Sequence, residues 1–440
     1  MNMQDKINQL ESFIKTLPII DHHCHNVIDK QPNIELPLAF VLSEGDSINN
    51  PLFLNQLKST LIFKRSIKDI YKFYYGKDFI EEQEENGEID ENIIEHEINM
   101  KRNEIGTDNI MRGVFTRSNI EAIILDDSLK FSINSVELPL KSNSWHSQFT
   151  KVYKVIRLET LLEKSLIDAK TNGMSFFVWK TYVEKLFRDT IDNPIDDIKV
   201  IGLKSIVAYR CGLGVENPSI QKVLEEFEKV INEIQINNSN NNNNNNNINN
   251  SSGNIITTIN QTNYRIENKT MINFFIHIAM GVSSTLSKPM PIQIHTGFGD
   301  SDLSLELSNP LLLKPLIESY PNVPIVLLHC SYPFFREAGF LSWVYPNVYV
   351  DIGLAIPFLS ISGMKNSIQS MLELAPIDKI IYSSDSHYIP ELFYLGSIWA
   401  RNIIFKVLSK SLKNNEITLK ESKEFAFKIF KTNCLNLYKI

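Results

Sequence analysis

Cysteine is scarce and scattered in this sequence. The four present, Cys24, Cys211, Cys330 and Cys434, lie far apart and never fall at C-x-x-C spacing, so neither a disulfide framework nor a zinc ribbon is suggested. Positive charge is also short: 44 Lys and Arg face 51 Asp and Glu, for a net charge of −7, and no basic cluster interrupts that balance. A general nucleic-acid binder carries a basic footprint, so nucleic acid is not an expected partner. No apolar run approaches the roughly 20 residues that a membrane-spanning helix needs. The segment Met1 to Leu17 reads as a polar amphipathic helix and lacks the apolar centre of a secretory signal. These absences lead to the expectation of a reduced, cytoplasmic protein without membrane or nucleic-acid partners. What is present is ample core material, since 43% of the 440 residues are hydrophobic.

Against that background the stretch Ile19-Ile20-Asp21-His22-His23-Cys24-His25 is rich in histidine. If it is a strand, side chains alternate between its faces. Asp21, His23 and His25 then share one face, and His22 and Cys24 the other, which predicts that His22 packs outward. Two imidazoles two residues apart on a strand converge on one point and can chelate a divalent metal through neutral nitrogens.

Strand-like runs recur along the chain at Ile120–Leu125, 151–159, 200–208, 291–295, 323–329, 348–352 and 379–384. Helical patterns separate them, among them 161–169, 176–187, 218–234, 271–280, 310–319, 336–345 and 364–374. Eight strands alternating with helices predict an α/β fold of the (β/α)8 TIM-barrel class, in one domain spanning 1–440. The long excursion 26–112 after the first strand contains amphipathic patterns and is predicted to be a helical cap on the barrel. The tract 237–263, with its unbroken asparagines from Asn240 to Asn247, can bury almost nothing apolar and is expected to be a disordered insertion. Helices after residue 385 are expected to close the barrel.

Position carries the functional signal. His295, His329 and Asp385 each end a predicted strand, as His23 and His25 do. Active sites of (β/α)8 barrels sit at the C-terminal ends of the strands, so four separate strands deliver metal-binding or proton-transfer groups to one rim. Glu159 ends predicted strand three, and Arg210 stands at the rim just beyond the end of predicted strand four. They are candidates to bind substrate, Arg210 by a bidentate fork on a carboxylate; an ion pair between the two is the structural alternative. His277 reads as structural, and His146 as either substrate-facing or bland.

The motifs Asp21-His22-His23-Cys24-His25, Ile294-His295-Thr296-Gly297-Phe298-Gly299-Asp300, Leu328-His329-Cys330-Ser331-Tyr332-Pro333-Phe334 and Ser383-Ser384-Asp385 resemble those of the amidohydrolase superfamily of metal-dependent hydrolases. More narrowly, the chain is similar to the amidohydrolase-like half of the nodulin/glutamine-synthetase-type (fluG-like) fusion proteins. The resemblance implies one divalent metal, foremost zinc, held by His23, His25, His295 and Asp385. It places His329 beside the activated water, with Asp385 and His329 as the acid–base groups. The activity implied is metal-dependent hydrolysis of a C–N amide-type bond in a small molecule. A mononuclear decarboxylase of an aromatic or unsaturated acid is the alternative, and a non-catalytic binding relative a third. Many binuclear relatives carry a carboxylated lysine at the end of strand four. Lys204 lies four residues before the predicted end at Ala208, deep in the barrel, which favours one metal. The sequence says nothing of oligomeric state, and it implies no ammonia-ligating activity.

Overall fold

A computed structural model describes residues 1–29, 36–44, 50–76, 90–133, 136–192, 198–235 and 264–440. Eight parallel strands form one sheet: β1 (Ile19–Cys24), β2 (Ile120–Leu125), β3 (Lys151–Arg157), β4 (Val200–Ser205), β5 (Ile292–Ile294), β6 (Ile325–Leu327), β7 (Val348–Asp351) and β8 (Ile380–Ile381). Each strand pairs with the next in chain order. The cylinder closes through backbone bonds from β1 to the chain at and after β8: His22 N donates to Tyr382 O at 3.3 Å, Asp385 N to His23 O at 3.0 Å, and His25 N to Ser386 O at 2.7 Å. This is the (β/α)8 barrel expected from the strand count.

Parallel strands covered on both faces read as near-continuous apolar runs, and the two sides of these strands feed two cores. Ile20, Ala122, Ile124, Val155, Ile201, Val326, Leu328 and Ile381 point into the barrel and meet Cys434, Leu437 and Tyr438 of the last helix (Asn433–Tyr438). A Cβ on Gly202 would lie 3.1 Å from Pro291 O and 3.3 Å from the Tyr438 ring, so glycine in β4 makes room for that plug. The opposite strand faces, with Ile19, Ile123, Leu203, Ile292, Ile294 and Val350, pack under the surrounding helices.

The excursion after β1 carries the helices Leu38–Val41, Pro51–Lys58, Leu61–Tyr75 and Glu91–Ile105, before Thr107–Ser118 leads into β2. Its base is clamped to the helix that follows β8 (Glu391–Lys413). Trp399 Nε1 donates to Asp69 at 2.6 Å, Arg65 stacks over the Trp399 ring, and Tyr74 and Arg102 both bind the Glu391 carboxylate. The acidic run Glu81 to Glu88 and the asparagine tract 237–263 lie outside the described residues. Among the described residues, no helix is long and apolar enough to cross a membrane.

Two strand ends fall earlier than the apolar pattern suggested. β3 stops at Arg157, and Glu159 sits in the first turn of helix Leu158–Thr171. β4 stops at Ser205, and Val207–Arg210 is a short helix. Apolar residues continue past both ends because the following helix buries them in the same outer core, so hydrophobicity alone could not mark the boundary.

Candidate metal centre

Every strand brings a buried polar side chain to the C-terminal end of the barrel: His23 and His25 from β1, Asp126 after β2, Arg157 on β3, Lys204 on β4, His295 after β5, His329 after β6, Asp351 on β7 and Asp385 after β8. Three of these lie close enough to share one ion. The ligand atoms of His23, His25 and Asp385 are within 4.8 Å of one another, and this is a group found among the described residues. His23 Nε2 and His25 Nε2 stand 3.3 and 3.4 Å from the same Asp385 oxygen, Oδ1.

The strict alternation expected of β1 does not hold. Asp21 pairs with Ile123 and Cys24 with Leu125, so three residues of β1 oppose two of β2. An extra residue of this kind is a β-bulge, which re-aims a side chain. His22 keeps the inward face of Ile20 two residues earlier, and the shift brings His23 to the lumen as well. His22 does not pack outward: it is fully buried against Gln293, whose neighbours Ile292 and Ile294 face the outer core, and its Nε2 bonds Asp351 Oδ1 at 3.0 Å. Asp21 turns instead to the segment after β8, where its carboxylate accepts from the Ser384 N–H at 2.9 Å and from the Ser384 hydroxyl. Burial pushes Asp21 up to about 7. Its grip on Ser384 fixes the residue next to Asp385, whose φ of 53° is left-handed.

Hydrogen bonds set which nitrogen of each imidazole is available. His25 Nδ1 donates to the backbone carbonyl of Asp126 at 2.8 Å, so its Nε2 presents a lone pair. His295 Nε2 donates to Phe298 O at 3.0 Å, leaving Nδ1 as its free nitrogen. Lys204 Nζ lies 3.0 Å from His23 Nε2. Buried polar atoms normally find partners, yet His23 Nδ1, His329 Nδ1 and Asp385 Oδ1 have no hydrogen bond among the described residues.

Burial dominates the electrostatics, and neighbours decide the outcome. It lowers His23 to about 4, helped by Lys204, and depresses His295 and His329 well below the ordinary imidazole value. It works to raise Asp385, but His329, His23 and His25 outweigh it and hold the carboxyl well below the usual range. It lowers Lys204 to about 8 against the pull of Asp126 and Asp385. His23, His295 and His329 are therefore neutral beside the Asp385 carboxylate.

The other sequence candidates divide. His329 joins the centre, with Nδ1 3.7 Å from Asp385 Oδ2 and its ring 5.6 Å from that of His23. His295 stands beside it, ring centroids 4.3 Å apart, but outside the three-group cluster. Lys204 is not deep in the barrel. It is the next-to-last residue of β4, its amine is in the centre, and the argument from depth for a single metal falls with the shortened strand.

Arg210 is spent elsewhere: Nη1 pairs with Glu163 Oε1 at 3.1 Å and donates to Ile266 O, so its acid partner is Glu163 and not Glu159. Glu159 is buried, accepts from Ser205 Oγ at 2.6 Å, and is raised by burial despite that bond. His146 is structural, with Nε2 accepting from Val27 N and Nδ1 bonded to Ser142 O. His277 bonds Tyr320. Sequence reasoning passed over Asp126, Arg157 and Asp351. Each ends or directly follows a strand, and that position was the available signal.

Comparison with known proteins agrees with this picture. Residues 290–440 match the family model for amidohydrolases. The chain is 27% identical to protein fluG of Emericella nidulans, an alignment covering 99% of this chain and 47% of that protein. It thus spans about half the length of the curated relative it matches. A Lactobacillus casei ATCC 334 protein described as a metal-dependent hydrolase superposes with a TM-score of 0.75 at 23% identity, covering 98% of this chain and 97% of the other. A uronate isomerase from Bacillus halodurans C-125 gives a TM-score of 0.62 at 12% identity, covering 100% and 97%. These two structural likenesses speak to the fold.

Proposed function

We propose that the chain is a metal-dependent hydrolase of the amidohydrolase superfamily that cleaves a C–N amide-type bond of a small molecule. The observation that carries the reading is a clash of acceptors. His25 has committed its proton to the Asp126 carbonyl, so its Nε2 lone pair faces an ionised Asp385 oxygen 3.4 Å away, with His23 Nε2 3.3 Å from the same oxygen. A cation between these electron-rich atoms relieves the clash, and imidazole nitrogens with one carboxylate suit zinc. The donor set therefore fits a divalent metal held by His23, His25 and Asp385, with His295 Nδ1 as the further nitrogen. When bound, such a metal supplies a Lewis acid and a water ionised near neutral pH.

The chain's own groups do the rest. Asp385 keeps an anionic oxygen at the centre, its carboxyl lying well below the usual range. His329 is neutral and buried with Nδ1 free, so it can polarise a carbonyl after protonation or pass a proton to a leaving amine. Asp126 and Asp21 hold His25 and the Asp385 turn in place.

Metal analysis of the purified protein is the first test, with about one zinc per chain expected. A panel of amides, lactones and aromatic acids is the second. Release of amine and acid without CO2 supports hydrolysis, whereas CO2 evolution replaces it with decarboxylation. Less than about 0.1 equivalent of metal in the folded protein after zinc-supplemented expression would leave only a binding role.

A further inference from the structure

Below the metal centre lies a second polar network that the proposed chemistry does not use. Asp351, the last residue of β7, is fully buried and its two oxygens collect four donors from four parts of the barrel. Oδ1 accepts from His22 Nε2 at 3.0 Å, Gly353 N at 2.9 Å and Ser383 Oγ at 2.8 Å. Oδ2 accepts from the backbone N–H of His329 at 2.9 Å.

The fourth bond matters because of what it holds. His329, Cys330 and Ser331 have φ of 67°, 55° and 48°, three consecutive non-glycine residues in the left-handed region. Each such residue is disfavoured for an L-amino acid and persists only where its surroundings over-determine it. On the far side, Thr296 Oγ1 bonds Leu328 O and the Ser331 hydroxyl. On the near side the N–H of His329 itself is held by Asp351.

The carboxylate is in turn held from behind. Gln293 Nε2 donates to the Tyr438 hydroxyl at 2.8 Å, that hydroxyl lies 3.3 Å from His22 Nδ1, and His22 Nε2 points to Asp351. A Cβ on Gly353 would come within 1.9 Å of Ser383 Oγ and 3.0 Å of Asp351 Oδ2, so this packing leaves the carboxylate one place to be.

We infer that Asp351, aimed by His22 and Ser383, is a positioning residue for His329: it fixes the strained turn that stands the His329 imidazole beside Asp385. This rests on the reading of His329 as a proton-handling group at the metal centre. It adds a chain of contacts running from the C-terminal helix through the barrel to that group.

The test is Asp351→Asn, which places a donor where either the His329 N–H or the three Oδ1 donors need an acceptor. Histidine ring signals of isotopically labelled protein are recorded by NMR, the His329 signal being the one missing from His329→Ala. Asp351→Asn is expected to move that signal while the His277 signal stays, and to keep zinc uptake within about twofold of wild type. With a substrate in hand, kcat should fall on the order of 10²-fold in His329→Ala. Asp351→Asn should fall with it, and the double variant should fall no further than His329→Ala alone.

An unmoved His329 signal, a fall that multiplies in the double variant, or loss of zinc with the signal in place would each overturn the inference. If Asp351→Asn does not fold, Ser383→Ala removes one donor only. A shift of the His329 signal there supports the inference, and no shift overturns it. Absence of zinc uptake by the wild type would instead sink the metal reading, and the His329 signal of the metal-free protein would still decide for or against Asp351.

Discussion

The pair beneath His25 offers a quantitative prediction. Arg157 reaches Asp126 Oδ2 with Nε at 3.1 Å and Nη2 at 2.6 Å, while Nη1 donates to Ser128 O at 3.1 Å. The side chains are 9% and 0% exposed, so this is a buried pair and not a surface one. An exposed ion pair contributes about 0–1 kcal/mol. Removing one member of a buried pair leaves an uncompensated charge and costs about 3–5 kcal/mol. Arg157→Met should therefore destabilise the protein by the larger amount, measured by chemical unfolding at pH 7.5. The effect should depend on pH with a definite sign. Burial works to raise the Asp126 carboxyl, but Arg157, with His25 and Lys204, holds it well below the ordinary value. Its folded value is thus depressed, so its stabilisation is complete above an unfolded pKa of about 3.9 and is lost as pH falls through the folded value. In Arg157→Met the burial penalty prevails, the folded value rises above 3.9, and the variant gains from protonation as the pH falls. The gap between wild type and variant should be widest near pH 7–8 and should shrink toward pH 4–5. Asp126→Asn in the same background should recover much of the loss, since the stranded charge is gone. A cost under about 1 kcal/mol, or one that is flat with pH, would refute the reasoning.

Three further outcomes follow from the same geometry. His23→Ala should lose metal and activity together, whereas His329→Ala should keep its metal and turn over on the order of 10²-fold more slowly, as metal analysis beside kcat will show. Lys204→Gln should leave the metal count at about one per chain if a single ion sits on His23, His25 and Asp385; a fall from two metals to one on substitution would mean that Lys204 bridges a pair. Arg210→Met should cost about 1–3 kcal/mol of stability through its lost bonds to Glu163 and Ile266 O while leaving KM unchanged, and a tenfold rise in KM would restore a contact with substrate.

Much of the barrel was legible because parallel strands buried on both faces must be apolar along their length. The eight predicted runs all contain observed strands. Their C-terminal limits were blurred where apolar residues resume directly after the last residue of the strand. At Ser205 the chain turns and at once buries Val207 and Ala208 under the barrel wall, so the apolar run continues while the strand does not. That slip moved Lys204 from the rim into the imagined interior and misplaced Glu159 and Arg210 as well. The strand-end histidines survived because His295 and His329 come directly after short apolar runs, where nothing blurs the boundary.

The remaining misreading has a different origin and says more about how the centre is built. Alternation on β1 placed His23 and His25 correctly but put His22 outside, because a bulge cannot be seen in a sequence of residue types. The bulge is what allows one strand to give two imidazoles to the upper layer and a third, His22, to the layer beneath. Each layer then has its own carboxylate from the last two strands: Asp385 among the imidazoles above, Asp351 with His22 below. Ser383 and Ser384, adjacent in sequence, divide between the two inner acids, Ser383 binding Asp351 and Ser384 binding Asp21. The turn that carries Asp385 is therefore fixed from both sides by acids that lie outside the His23–His25–Asp385 group. A centre meant to hold a highly charged ion in one geometry needs such supports on rigid strands more than it needs additional ligands.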